Sequence, residues 1–173
     1  MSTIAICSDS HDNIPNIDKF LNYCKRHNIK LMIHCGDITT LETKKYFQEN
    51  FRGKIYFVEG NADITSIEQE KSIETKRTNR FQVIKRAPVP FLELIVDQIQ
   101  IAVCHKKDKA IRLAKKGFYH FVFFGHTHKP WQEKIDKSFI INPGTLAGMF
   151  TPPSFATYNT TTKQLELIQV HNL

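Results

Sequence analysis

Phe121-Val122-Phe123-Phe124-Gly125-His126-Thr127-His128 reads as a buried strand that runs out of apolar residues at a glycine and then delivers two imidazoles. Gly125 lets the chain turn sharply where a side chain would collide. Beyond it, His126 and His128 could face one small volume, each offering a nitrogen to a metal. Two solvent-exposed loop histidines are the plainer alternative. The rest of the chain has to decide between them.

Working outward, the same ending recurs. Thr3 to Cys7 is a buried strand followed by Asp9 and His11, and residues 31–35 form a second one ending at Gly36-Asp37. Lys54 to Val58 is a third, ending at Glu59-Gly60-Asn61-Ala62-Asp63. Between them, Pro15 suits a first helical turn, with Ile17, Phe20, Leu21 and Cys24 at helical spacing. Residues 41–50 are helical by composition, with Leu41, Tyr46 and Phe47 expected to be buried. Strand, loop, helix, strand in alternation predicts parallel β-α-β units, whose functional residues gather at the carboxyl ends of the strands.

Residues 64–86 are polar and basic, and read as a short helix followed by an edge strand. From Phe91 the pattern changes. Residues 91–96 and 99–104 form a hairpin about Asp97-Gln98, and the second run ends at His105. A helix over 108–116 turns Ala110, Leu113 and Ala114 inward, and strand 120–124 leads to the His-x-His loop. Short strands at 131–135 and 138–141 flank Asp136-Lys137. Asn142-Pro143-Gly144-Thr145 is a turn by its own chemistry, and 155–159 with 164–170 make a closing hairpin. Two packed sheets with helices outside result, starting parallel and ending antiparallel.

Asp9, His11, Asp37, Asn61, His105, His126 and His128 therefore arrive on five separate strand termini. Seven donors are too many for one tetrahedral zinc and fit two metals sharing a ligand. A carboxylate suits the shared position. Imidazoles, carboxylates and a carboxamide together favour Mn²⁺, Fe²⁺, Co²⁺, Ni²⁺ or Zn²⁺ over Ca²⁺. Two divalent ions outweigh Asp9, Asp37 and a bridging hydroxide, so the pocket attracts an anion such as a phosphoryl group. Metals roughly 3.5–4 Å apart can clamp attacking and leaving oxygens.

The bulk numbers agree with a soluble enzyme. The chain has 173 residues, 41% hydrophobic and 24% charged, enough for one well-filled domain over 1–173. Nothing approaches the roughly eighteen-residue apolar run of a membrane helix, and the N-terminus lacks a signal peptide's regions, so a cytoplasmic location without membrane association is expected. Cys7, Cys24, Cys35 and Cys104 form no Cys-x-x-Cys pair, which suits reduced, buried thiols. A net charge of +7 favours anionic ligands in general.

The basic residues Lys106, Lys107, Lys109, Arg112, Lys115 and Lys116 read as a solvated helix face, with possible recruitment of phosphorylated substrates. Lys71, Lys76, Arg77, Arg80, Lys85 and Arg86 form a second patch without aromatic interleaving, which disfavours nucleic acid as a partner without excluding it. Association of identical chains is left open.

Asp9-Ser10-His11, Gly36-Asp37, Gly60-Asn61, His105 after its strand and Gly125-His126-Thr127-His128 resemble, in order and spacing, the calcineurin-like metallophosphoesterase family. Asn142-Pro143-Gly144-Thr145 is similar to the Asn-Pro-Gly-Ser turn of its small, minimal-domain phosphodiesterases. The resemblance covers residues 3 to about 145. It implies an α/β fold, a four-layer α/β/β/α sandwich with mixed sheets, and a dinuclear metal centre. One metal would take Asp9, His11, Asp37 and His128; the other would take Asp37, Asn61, His105 and His126, with Asp37 as the bridge. Manganese is expected ahead of the other ions, a small phosphorylated compound is the expected substrate, and Asp37, Asn61 and His126 would carry catalysis. His34 and Asn142 are expected to support the ligands from behind, and Lys106 and Asp63 are candidate substrate contacts, with Asp63, a poor acid when ionised, alternatively orienting a neighbour.

Two positions depart from the family's pattern. Many relatives have Gly-Asn-His, where the histidine stabilises the transition state or protonates the leaving group; here that place holds Ala62, followed by Asp63. Small relatives commonly read His-Gly-His where this chain has His105-Lys106. The expected activity is hydrolysis of phosphate esters, diesters above all. A protein-binding scaffold of the same fold, as in the retromer subunit, and a nuclease are the rival readings.

Overall fold

In the computed structural model, which describes residues 3–63, 81–84 and 91–173, two sheets lie face to face with helices on both outer sides. The first sheet holds β1 (Thr3–Cys7), β2 (Leu31–His34), β3 (Lys54–Phe57), β10 (Ser154–Asn159) and β11 (Leu165–Gln169), in the order β11-β10-β1-β2-β3. The second holds β4 (Phe81–Ile84), β5 (Phe91–Val96), β6 (Ile99–Cys104), β7 (Phe121–Phe123), β8 (Trp131–Ile135) and β9 (Ser138–Asn142), in the order β4-β5-β6-β7-β9-β8. Helices α1 (Ile14–Arg26) and α2 (Leu41–Asn50) cover the first sheet, and α3 (Lys107–Ala114) covers the second. The four-layer mixed sandwich is present.

The layering follows from the period of two along each strand. In β1, Ile4 and Ile6 face the second sheet while Ala5 and Cys7 face the helices. Leu31 and Ile33 of β2 point inward and Met32 outward; in β6, Ile101 and Val103 point inward while Ala102 and Cys104 meet α3. With both faces covered, the strands read as continuous apolar runs. Each fully buried Ile, Leu or Phe in these three clusters contributes roughly 1.5–3 kcal/mol.

Helix α1 starts where the Asn13 side chain accepts the Asn16 N–H at 3.2 Å, and Pro15 sits in its first turn. Thr40 caps α2 by accepting the Thr43 N–H. In α2, Phe47 is buried as expected, but Leu41 is 38% exposed and Thr43 takes its place. Leu41 is the first residue of the helix, and Tyr46, also expected inside, is half-buried.

The second half is less antiparallel than the sequence suggests. Strands β6, β7 and β9 are parallel neighbours, and the closing hairpin returns to pair β10 antiparallel with β1. The expected edge strand is β4. The helix expected before it and Lys71, Lys76, Arg77, Arg80, Lys85 and Arg86 lie outside the described residues. Among the described residues no helix is long and apolar enough to cross a membrane. All four cysteines are free and buried, and burial pushes the Cys24 thiol up to about 12.

Candidate metal centre

Each of the seven candidate ligands follows the carboxyl end of a strand, and the loops that carry them are tied to one another. Beyond β1 and β2 the backbones stay paired, Asp9 N–H donating to Gly36 O at 3.0 Å and His11 N–H to Asp37 O at 3.2 Å. Beyond β6 and β7, Gly125 N–H donates to His105 O at 3.0 Å. The two sheets meet where the His126 N–H donates to both oxygens of Asp9. A side chain at 125 could not fit: its Cβ would lie 1.9 Å from Ser8 Oγ and 2.7 Å from Asp9 Oδ2. At Gly60 the intruded atom would be Asp37 Oδ1, at 2.0 Å.

The ligand atoms fall into two clusters. Asp9, His11, Asp37 and His128 place one donor atom each within 4.8 Å of one another, and so do Asp37, His105 and His126. Asp37 belongs to both. Asn61 joins the second through Oδ1, 3.1 Å from His105 Nε2. This is the same division of residues that the resemblance implies. Asp9 and His105 are buried at the floor, whereas Asn61 and His126 are exposed at the open side.

The backbone is held in an unusual state here. Asp9, His11, Asp37, His126 and His128 all have positive φ, between 40° and 68°. A left-handed non-glycine residue costs on the order of 1–3 kcal/mol and persists only where its surroundings over-determine it. Five such residues converging on one point mark a site that the fold enforces.

Electrostatics distinguish the two carboxylates. Burial, with Asp37 nearby, raises the Asp9 carboxyl to about 6. At Asp37 burial acts the same way but is outweighed by the His105 hydrogen bond and the Ala62 N–H, leaving it at about 2. His11 Nε2 and His128 Nε2 stand 3.3 Å apart, each beside a carboxylate at 3.5–3.7 Å. The buried Nδ1 of His128 has no hydrogen-bond partner among the described residues. Burial first and His105 second hold His126 below its ordinary value, so it presents a neutral nitrogen. Carboxylate oxygens and imidazole nitrogens converging on two small volumes are a donor set that fits divalent cations.

Around this set stand residues that fix it. His105 Nδ1 donates to Cys35 O at 2.9 Å, which turns Nε2 toward Asn61 and Asp37. His34 is fully buried and pushed down to about 3 by that burial. Its Nδ1 accepts the Gly36 N–H and its Nε2 donates to Ser10 Oγ, so it buttresses the first two loops. Asn142 donates to Gly125 O at 2.9 Å and to Thr127 Oγ1 at 3.0 Å while accepting the Gly144 N–H, which braces the His-x-His loop. Lys106 is exposed, near enough to His126 for its charge to help lower that imidazole.

Asp63 orients its neighbours. Its carboxylate accepts four backbone N–H groups, those of Asp37, Ile38, Thr39 and Gly60, at 2.6–3.1 Å. With both oxygens committed to the loop backbone, it holds the Asp37 and Asn61 loops together instead of touching a substrate. Three residues escaped the sequence reading. Thr39 Oγ1 lies 3.4 Å from His11 Nδ1, Thr145 Oγ1 donates to Asp9 O at 2.7 Å, and Phe150 stands against His128 with ring centroids 5.6 Å apart. Only Thr145 left a trace in sequence, through its turn. Trp131 is exposed, with the Lys107 ammonium 4.6 Å over its ring.

The profile of the calcineurin-like phosphoesterase superfamily domain matches residues 2–163. A phosphodiesterase of Methanocaldococcus jannaschii is 31% identical over 150 residues, spanning 86% of each chain. A probable metallophosphoesterase of Mycoplasma pneumoniae is 26% identical over 162 residues, 91% of this chain and 87% of that one. Among solved structures, an archaeal phosphodiesterase superposes with a TM-score of 0.75 at 28% identity, across 96% of this chain and 99% of that one.

Proposed function

The chain belongs to the calcineurin-like phosphoesterase superfamily, and on that footing we propose that it hydrolyses phosphate esters, phosphodiesters above all, using two divalent transition-metal ions. Asp37 carries this reading, because it is common to both ligand clusters. Asp9, His11, Asp37 and His128 would hold one ion; Asp37, Asn61, His105 and His126 would hold the other. Such ions supply Lewis-acid charge for phosphoryl oxygens and lower the pKa of a water held between them.

The chain's own residues do the rest. Asp37, kept ionised down to about pH 2, neutralises charge between the clusters. With both ions held, Asn61, a neutral ligand, would leave the pocket net positive toward an anion. His126, neutral and exposed, meets the substrate side, with Lys106 beside it for a phosphoryl oxygen. His105 is locked in orientation by Cys35 O, and Asp63 prevents the Asp37 and Asn61 loops from drifting apart.

The test is metal analysis of protein purified without added ions, then assays on bis-aryl and mono-aryl phosphate esters. Two ions per chain and hydrolysis of the diester are expected, both lost in Asp37→Asn. A variant that keeps its activity would remove the proposal. Ala62, which supplies no acid, favours the scaffold reading as runner-up: metal-loaded protein inert toward both ester classes would leave that alternative standing.

A further inference from the structure

Phe150 is an apolar side chain in an improbable place. It is 91% exposed, it adopts a left-handed backbone at φ 67°, and its ring stands 5.6 Å from that of His128. Met149 beside it is 44% exposed. An aromatic residue gains nothing from positive φ, and this one buries almost nothing in return.

The loop around it is nevertheless pinned. Ala147 N–H donates to Asp9 O at 3.0 Å, and Asn13 Nδ2 donates to Ala147 O at 2.8 Å. On the far side, Thr151 Oγ1 donates to His128 O. The base of the loop is thus fastened to the backbone of two candidate metal ligands, Asp9 and His128. Only its tip, with Phe150, is left facing water. Strain held in place by a rigid frame, with an apolar face left open beside a reactive centre, is what a ligand-contacting residue looks like.

We infer that Phe150 is a specificity-determining residue, providing the surface on which a planar, aromatic ester group of the substrate stacks while its phosphoryl group lies at the metal clusters. This rests on the phosphoesterase reading and deepens it, by naming the organic half of the substrate. The two halves of the site divide the work. The polar floor takes the anion, as the clusters and the net charge of +7 suit it to do. The floor offers nothing to an apolar ester group, since its side chains are carboxylates, imidazoles and a carboxamide. Phe150 stands on the rim above His128 and offers a flat face with the geometry that aromatic pairs prefer. Substrates with an aryl or nucleobase-like group are favoured over those with small alkyl esters.

The experiment compares metal-loaded wild type, Phe150→Ala and Phe150→Leu. Binding of phenylphosphonate and methylphosphonate, neither of which can be hydrolysed, is measured by calorimetry, alongside metal content. Phe150→Ala should weaken phenylphosphonate roughly five- to tenfold, leave methylphosphonate within about twofold, and keep its metal. Phe150→Leu should fall between, because it keeps apolar area and loses the flat face. With a bis-aryl diester, KM should rise by the same factor and kcat change little. Equal weakening of both phosphonates, or of neither, overturns the stacking role even when wild type hydrolyses the diester. Wild type that holds metal but hydrolyses no ester fails at the earlier step instead, so the two failures are told apart. At 91% exposure the ring holds up no core, and either variant should fold.

Discussion

Asp9 accepts the backbone N–H of His126 through both carboxylate oxygens, at 3.1 and 3.0 Å, across 117 positions of sequence. One residue thereby ties the end of β1 to the end of β7 and joins the two sheets at the candidate metal centre. The same carboxylate is fully buried and raised to about 6, which is costly for the chain without cations.

Replacing Asp9 by Asn separates these two roles. The amide oxygen can still accept the His126 N–H, and the buried charge is gone, so the metal-free variant should melt within a few degrees of wild type. Its response to metal should differ. A ligand at a hundred times its dissociation constant stabilises the fold by about 2.7 kcal/mol, or roughly 5–10 °C in a chain of this length. Wild type should show that rise with added manganese and Asp9→Asn should not. An equal rise in both would mean that Asp9 is no ligand.

Asp63 predicts a purely structural loss with a functional consequence. Asp63→Ala removes the acceptor of four N–H groups in two loops, and the partly buried donors it leaves behind should cost about 3 kcal/mol. The Asn61 loop then loses its anchor to the Asp37 loop. Metal stoichiometry should fall toward one ion per chain. Denaturation and metal analysis on the same preparation check both halves, and an unaltered midpoint would refute the brace.

Strands were legible because both faces of the central ones are buried, so β1, β2 and β6 announce themselves as apolar runs with polar stops. Candidate ligands were legible for the same reason, each standing at a stop. What could not be read is long-range or conformational. The return of β10 to pair with β1 is a tertiary choice between two edges, and the parallel placement of β9 beside β7 requires β8 to run out to the sheet's edge first. The left-handed backbones of Asp9, His11, Asp37, His126 and His128 were not read either: Asp and His tolerate that region better than most residues, but the type alone does not say which of them adopt it. That Asp63 orients a neighbour could be read from its chemistry as a poor acid, but not which groups it holds, because the four N–H groups that claim it come mostly from another loop.

Cys24 gives a pH prediction away from the site. Burial pushes its thiol from 9.0 to about 12, so between those values the unfolded chain releases a proton that the folded chain keeps. A group raised in the folded state contributes stability that is intact below the unfolded value and lost as pH climbs toward the folded one. The loss is about 1.4 kcal/mol per pH unit from this thiol. Urea titrations at pH 7.5 and 10.5 should therefore show wild type losing about 2 kcal/mol more than Cys24→Ala, which lacks the proton. Equal losses would mean that the thiol is not shielded as its 1% exposure implies.

Ala62 sets the chemistry of the leaving group. Its N–H donates to Asp37 Oδ1 at 2.8 Å, and its methyl group has no proton to give. A departing alkoxide must then leave with little help from the chain, so rates across a series of phosphodiesters should fall steeply as the leaving-group pKa rises. Ala62→His introduces an imidazole there and keeps the backbone N–H that bonds Asp37. General acid catalysis contributes typically ~10²–10⁴-fold, and the gain should be concentrated on poor leaving groups. Alkyl esters should speed up by at least about tenfold while activated aryl esters barely change, flattening the dependence. A wild-type rate indifferent to leaving-group pKa would show that some other group already supplies the proton.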